Sequence, residues 1–150
     1  MKLDRNLRLA SSILALIGFV DSLYLTIIKL TNNKALCLEG VGDCWTVNMS
    51  VYSELAGIPI SVLGMGAYLL LIAILFLETK GAFWENNSPI LFFGIALAGT
   101  IYSAYLTYVE IYVIKAICPF CVISAVVILA LLVNSIVRLI HGNQKDIITP

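Results

Sequence analysis

The chain has 150 residues, of which 61% are hydrophobic and 12% charged, and its mean hydropathy is +1.00. A soluble domain of that size needs far more polar surface, so the composition excludes an ordinary water-soluble globule. The formal net charge is zero, which leaves neither a basic face for nucleic acid nor a charged tail.

Four apolar stretches follow in chain order, each near the roughly 20 residues a helix needs to cross a hydrocarbon core. The first covers residues 9–28 and carries Asp21 in its outer half. Lys2, Arg5 and Arg8 ahead of it resemble the start of a signal peptide. The apolar run is too long for one and no small-x-small cleavage site follows, so the helix is expected to be retained. A long loop, residues 29–57, comes next. Within it residues 46–56 are expected to form a short helix lying at the membrane surface. The second span covers 58–77, with Pro59 in its first turn and Gly81 closing it after Lys80. The third covers 89–113, with Ser88 as its cap and Pro89 at its first position. The fourth covers 117–140. Lipid admits only helices or closed barrels, and none of these stretches alternates like a barrel strand. The expected fold is an all-α membrane protein: one domain over residues 1–150, a bundle of four transmembrane helices with an outer loop. Gly64, Gly66, Gly94 and Gly99 are expected to let helices approach closely.

Orientation follows from lysine and arginine in the short loops. Lys2, Arg5, Arg8, Lys80, Arg138 and Lys145 fall on one side; Lys29, Lys34 and Lys115 fall on the other. Both termini are therefore expected in the cytoplasm. His141, near the C-terminal end, is expected to be solvated.

All four cysteines then fall on the outer side. Cys37 and Cys44 lie in the long loop, and Cys118 and Cys121 form Cys-Pro-Phe-Cys at the start of the last helix. An even count facing an oxidising compartment fits disulfide chemistry. Residues i and i+3 share a helix face, so Cys118 and Cys121 can approach bonding distance. A helix N-terminus also favours thiolate over thiol. From spacing alone, two inert structural disulfides remain an alternative. A four-thiolate zinc site is disfavoured because six residues separate Cys37 from Cys44, and no metal is expected.

A weak internal repeat accompanies the cysteines. Ser22, Tyr24, Leu25 and Thr26 reappear 81 residues on as Ser103, Tyr105, Leu106 and Thr107. At the same shift Lys34-Ala35-Leu36-Cys37 matches Lys115-Ala116-Ile117-Cys118. Chance similarity between apolar stretches is the alternative.

Four helices, a loop cysteine pair and Cys-x-x-Cys opening the last helix resemble the vitamin K epoxide reductase family. Val47, Ser50 and Tyr52 after Cys44 are similar to the family's run of a valine, a serine or threonine and an aromatic residue. The return through Gly57-Ile58-Pro59-Ile60-Ser61-Val62-Leu63-Gly64 resembles prokaryotic members, and the likeness covers essentially the whole chain.

The resemblance implies an electron relay in a plasma-membrane protein, supporting disulfide formation in exported proteins. A separate thioredoxin-like (DsbA-like) partner on the outer, periplasmic face would exchange with Cys37. Cys44 would pass electrons to Cys118, and Cys121 would face a quinone of ubiquinone or menaquinone type. Ser50 matches a position near that quinone. The loop pair would face water and the second pair lipid. Animal members that reduce the epoxide have an asparagine and a tyrosine where Ile60 and Ala125 stand here. Neither residue donates a side-chain hydrogen bond, which favours quinone over epoxide. The chain ends at Pro150, so the partner is expected to be a separate protein. A DsbB-like oxidase has its cysteine pairs in the reverse order, which argues against it. The alternative to an enzyme is a non-catalytic helical membrane protein with structural disulfides.

Asp21 and Glu110 are ionisable residues at membrane depth and therefore candidates for function. Glu110 is equally compatible with the membrane interface. Tyr52, Tyr102, Tyr105, Tyr108 and Tyr112 suit an interfacial aromatic belt.

Overall fold

The computed structural model describes residues 2–37 and 42–148, with side chains described for 5–37, 42–81, 84 and 87–141. Lys2 and Lys145, counted above for orientation, have side chains outside that set.

The long helices are α1 (Lys2–Thr31), α3 (Ile60–Leu77), α4 (Ala82–Tyr108) and α5 (Pro119–Ile148); α2 (Cys44–Asn48) is a single turn and a half between the first two. Segments Arg5–Thr31, Ile60–Leu77, Asn87–Ile114 and Pro119–His141 are long and apolar enough to cross a bilayer. The protein is a multi-pass helical membrane protein. Helix α1 packs against α3 and α5, and α4 packs against the same two, so the order around the bundle is α1, α3, α4, α5. Leu9, Val20, Leu30, Leu70, Phe76, Ile101 and Val126 point outward, as lipid-facing side chains do.

The core centres on Ala15, Tyr68, Leu71, Phe92 and Leu131. Tyr68 lies so close to α1 that a Cβ on Gly18 would sit 2.3 Å from its ring. Its hydroxyl donates to the Ser124 carbonyl oxygen at 3.1 Å, which ties α3 to α5. Of the glycines expected at helix contacts, Gly64 meets Ser22 Oγ and Gly99 meets Ile128, but Gly66 and Gly94 face open space.

Three boundaries differ from the sequence reading. Helix α4 starts at Ala82, so Pro89 lies inside it and Ser88 is buried mid-helix rather than capping it. Pro89 is the eighth residue of the helix and forgoes the bond to the carbonyl of residue 85, while the polar run 85–88 extends the helix ahead of the apolar stretch. Gly81 has an extended backbone and precedes α4, instead of closing α3 in a left-handed cap. The surface helix expected over 46–56 is broken into α2, a 3-10 turn (Val51–Ser53) and a small hairpin. The hairpin pairs β1 (Glu54–Leu55) with β2 (Ile58–Pro59) through Ala56 and Gly57, both with positive φ. This geometry matches the twist of a two-residue turn.

The two ends of the bundle differ in chemistry. At one end Arg138 is buried against Glu78, with Arg8 Nε 3.9 Å from Glu78 Oε2. Arg138 is therefore an internal ion-pair partner and not the loop cation assumed in the charge count. At the other end lie all four cysteines.

A candidate redox site of four cysteines

Each cysteine is placed by a local backbone device. Asn33 caps the 3-10 turn Lys34–Leu36, accepting from the Ala35 N–H at 3.1 Å, and Cys37 N–H closes the turn onto the Lys34 carbonyl oxygen at 3.0 Å. The Tyr24 hydroxyl donates to the Leu36 carbonyl oxygen, and its ring packs 4.8 Å from that of Phe120. Cys37 is thereby held beside the Cys-Pro-Phe-Cys turn.

Cys44 opens α2. Asp43 caps that helix, accepting from the Thr46 N–H at 3.1 Å and the Thr46 hydroxyl at 2.7 Å. The Thr46 hydroxyl, then its N–H, hold the Asp43 carboxyl below the usual carboxylate range. The Asp43 N–H donates to the Ile117 carbonyl oxygen at 3.0 Å. Gly42 has φ of +114°, and a Cβ there would lie 2.6 Å from the Ile117 carbonyl oxygen and 2.9 Å from Pro119 Cδ. Only glycine fits this approach, which lays the loop pair on the start of α5.

Cys118 is the residue before α5, and Pro119 takes the first helical position. The Cys121 N–H donates to Cys118 Sγ at 3.4 Å, so sulfur occupies the place of a capping oxygen. Hydrogen bonds from the Cys121 and Cys44 thiols and from this helix start draw the Cys118 thiol well below the ordinary thiol range, against the effect of burial. Cys44, as donor to Cys118 and itself buried, moves the other way.

The sulfurs therefore form a continuous chain. All four are free thiols: Cys37 Sγ lies 2.8 Å from Cys44 Sγ, and the Cys44 and Cys121 thiols both interact with Cys118 as hydrogen-bond donors. The sequence reading puts the loop pair in water, and here the structure corrects it. Cys37 is 7% exposed, Cys44 2% and Cys118 0%, because Tyr24, Leu25, Ile28, Val47 and Phe120 close over them.

Beyond Cys121 the chain of sulfurs opens on a cavity of about 440 Å³ between the helices. Its walls include Leu25, Ile60, Leu106 and Ile128, with Ser50 and Glu110 among the few polar groups. The Ser50 hydroxyl donates to the Val47 carbonyl oxygen at 2.8 Å, which leaves its oxygen lone pairs available. An apolar slot of this size with a few polar groups fits a quinone ring. Ile60 lines it as the sequence reading supposes; Ala125 does not.

Three residues carry more of the site than the sequence reveals. Glu110 is 4% exposed, and its Oε2 accepts the Cys118 N–H at 3.2 Å. Its carboxyl also lies close enough to the Cys121 thiol to interact with it. It is carried inward by a π-helical turn (Val109–Ile114) that ends at Lys115, φ +55°. Such turns cluster at functional sites. Lys29 Nζ donates to the Asn48 carbonyl oxygen at 2.9 Å and to Ser53 Oγ at 2.8 Å, and pairs with Glu54 at 3.0 Å. It fastens the segment over the cavity to the end of α1. Tyr24 is the third, through the contacts given above. Asp21 is buried in α1 with Oδ2 unpartnered among the described residues and does not line the cavity. Tyr52, Tyr105, Tyr108 and Tyr112 are exposed as a belt requires, and Tyr52 also lines the cavity, as does the less exposed Tyr102.

The chain is similar to a thiol-disulfide oxidoreductase of Arabidopsis thaliana, LTO1, at 31% identity over 111 residues. That stretch is 71% of this chain and 30% of the relative, so the chain spans under a third of that protein's length. The sequence model of the vitamin K epoxide reductase family matches residues 9–136. That match runs through all four spans and every cysteine, and the chain belongs to the vitamin K epoxide reductase family.

Proposed function

We propose that the chain is a quinone-dependent thiol–disulfide oxidoreductase of the cell membrane, relaying electrons through its sulfurs in the order Cys37, Cys44, Cys118, Cys121. The family supports oxidoreductase chemistry in general. The observation that carries the relay is the unbroken contact from Cys37 to Cys121, ending at an apolar cavity. Two inert disulfides would have no need of contact between Cys44 and Cys118.

A thioredoxin-like protein on the outer face would deliver electrons at Cys37, with both termini in the cytoplasm. Cys44 attacks Cys118, Cys37 resolves that bond, and the Cys118/Cys121 pair is left reduced. Cys118 suits the central place because a sulfur already stabilised as thiolate leaves readily. A quinone of ubiquinone or menaquinone type would supply the two-electron, two-proton acceptor. Cys121 and Ser50 would meet it from two sides of the cavity, with the Ser50 hydroxyl turned from the Val47 carbonyl oxygen to donate to a ring carbonyl. Supported in this way, the enzyme would keep exported proteins oxidised.

The test is quinone reduction by a reduced thioredoxin-like partner, with the purified protein and its Cys121→Ala variant. The variant should lose turnover by at least about 100-fold, since residues acting as a unit fail together. Undiminished turnover would rule the relay out. A Cys44–Cys118 disulfide trapped by mass spectrometry in the same variant would support it directly.

A further inference from the structure

We propose that the Glu110 carboxyl is the proton donor and acceptor for Cys121 during disulfide exchange. This rests on the relay reading for its biological setting, but the chemistry lies wholly within the chain.

The geometry is specific. Glu110 is buried, and one oxygen is fixed by the Cys118 N–H at 3.2 Å. Glu110 and Cys121 line the same cavity, close enough for the carboxyl and the thiol to interact. The Lys115 and Ala116 N–H groups both donate to the Glu110 carbonyl oxygen, which fixes the backbone of Glu110 within the π turn. Among the described residues no basic side chain pairs with it. The ionisable groups around it are Cys118 just ahead of α5 and Cys121 on it, with Asp21 on α1 interacting with Cys118 and Tyr68 on α3 interacting with Asp21. A buried carboxyl without a cation, beside a reacting sulfur, is placed to move a proton and poorly placed to hold a charge.

The steps balance. Cys44 thiolate attacks Cys118; the Cys44–Cys118 bond forms, the Cys118–Cys121 bond breaks, and the electron pair passes to the Cys121 sulfur. Cys121 is interior, so a bare thiolate there is unfavourable. The Glu110 carboxyl gives its proton to that sulfur and becomes a carboxylate. Cys37 thiolate then attacks Cys44, and Cys118 leaves as thiolate. The loop pair has lost two electrons and the Cys118/Cys121 pair has gained them. When the Cys118/Cys121 pair is oxidised again, Glu110 takes the proton back from Cys121.

The reverse half of this chemistry can be isolated without any quinone. In a quinone-free Cys37→Ala/Cys44→Ala protein, space is freed beside Cys118 and no competing sulfur remains. Methyl methanethiosulfonate then caps Cys118 as a methyl disulfide. Cys121 resolves it by losing its proton to Glu110, forming the Cys118–Cys121 bond and releasing methanethiolate. Acid quenching and mass spectrometry follow the loss of the methylthio group. Glu110→Gln keeps the hydrogen bond to Cys118 but cannot take a proton, and resolution should slow by about 100-fold. Glu110→Asp keeps the carboxylate and should recover part of that rate. Resolution in Glu110→Gln at the parental rate would overturn the proposal, as would Glu110→Asp being as slow as Glu110→Gln.

A second measurement uses the unsubstituted protein. The reduced-minus-oxidised infrared difference spectrum, again without quinone, should show loss of a protonated-carboxyl band on reduction. A spectrum with no carboxyl change would overturn the proposal too. If quinone reduction fails in the relay test while both of these results hold, the fault lies with the acceptor and not with Glu110.

Discussion

Gly42 shows how far a single residue can govern the site. It holds φ of +114° and brings the loop backbone against Ile117 and Pro119. Any side chain there is strained and collides with backbone, which cannot swing aside. Gly42→Ala should therefore lift Cys44 away from Cys118 while leaving the four spans intact. In a Cys37→Ala/Cys121→Ala background, mild oxidation can join only Cys44 to Cys118. Adding Gly42→Ala should cut the rate of that joining by at least about tenfold, a barrier of about 1.4 kcal/mol. An unchanged rate, measured by mass spectrometry, would show that the loop needs no help from Gly42. The contrast with the cysteines is instructive. A cysteine announces its chemistry by its residue type, and pairing at i and i+3 is a local matter. The need for glycine at 42 comes from a carbonyl 75 residues away in the chain, at Ile117, which no local pattern encodes. Glu110 was visible as an acid at membrane depth, but its contact with Cys118 depends on the π turn, which has no comparable sequence signal.

At the scale of elements, the apolar spans were legible because some 20 successive apolar residues can be satisfied in lipid in few ways. Their ends were less so. The hairpin at 54–59 turns on Ala56-Gly57 in place of the asparagine-glycine or aspartate-glycine that usually marks such turns, and so it gives little warning. The 81-residue repeat leaves no distinctive mark on the helices, since its threonines make the same bond to the i−4 carbonyl oxygen as Thr31 and Thr100 outside it. Thr26 Oγ1 donates to the Ser22 carbonyl oxygen in α1 at 2.7 Å, and Thr107 Oγ1 donates to that of Ser103 in α4 at 3.0 Å. The copies then diverge, into a 3-10 turn before Cys37 and into a left-handed Lys115 before Cys118. Lys29 belongs to the same scale, since it joins α1 to the segment from Asn48 to Glu54. A lysine at the end of an apolar span reads from sequence as a loop charge, yet here its side chain is only 11% exposed and its ammonium meets Asn48, Ser53 and Glu54. Lys29→Met keeps the stem and removes the donors. Hydrogen bonds to a charged group contribute about 1.5–3 kcal/mol each, so the segment should open by about 2 kcal/mol or more. Hydrogen exchange should show that loss over residues 44–59 and little change in α4. Equal exchange in both proteins would mean that the hairpin and α2 hold themselves in place.

The whole molecule has two ends with opposite demands. The cysteine end buries Cys37 beneath the 3-10 turn and Tyr24, and on the relay proposed above that turn would have to shift for a partner to reach it. The far end carries no such demand and is locked. Arg138 on α5 pairs with Glu78 at the end of α3, Arg8 of α1 approaches the same carboxylate, and Asn134 donates to the Leu7 carbonyl oxygen at 2.9 Å and to Ser11 Oγ at 2.7 Å. Three helices are joined through these groups. Removing one member of a buried ion pair strands the other and typically costs about 3–5 kcal/mol, whereas replacing both by apolar groups is often neutral or better. Glu78→Gln should thus lower the thermal unfolding midpoint in detergent sharply. Glu78→Leu combined with Arg138→Met should restore most of it, because no buried charge remains unpaired. Joining of Cys44 to Cys118 at the other end should proceed at the parental rate in the double variant, since the sites lie at opposite ends of the bundle and share no partner. A double variant as unstable as the single one would mean that Arg8 and Asn134, and not the ion pair itself, depend on Glu78. A slowed joining reaction would mean that the locked end sets the geometry of the sulfurs through the full length of α5.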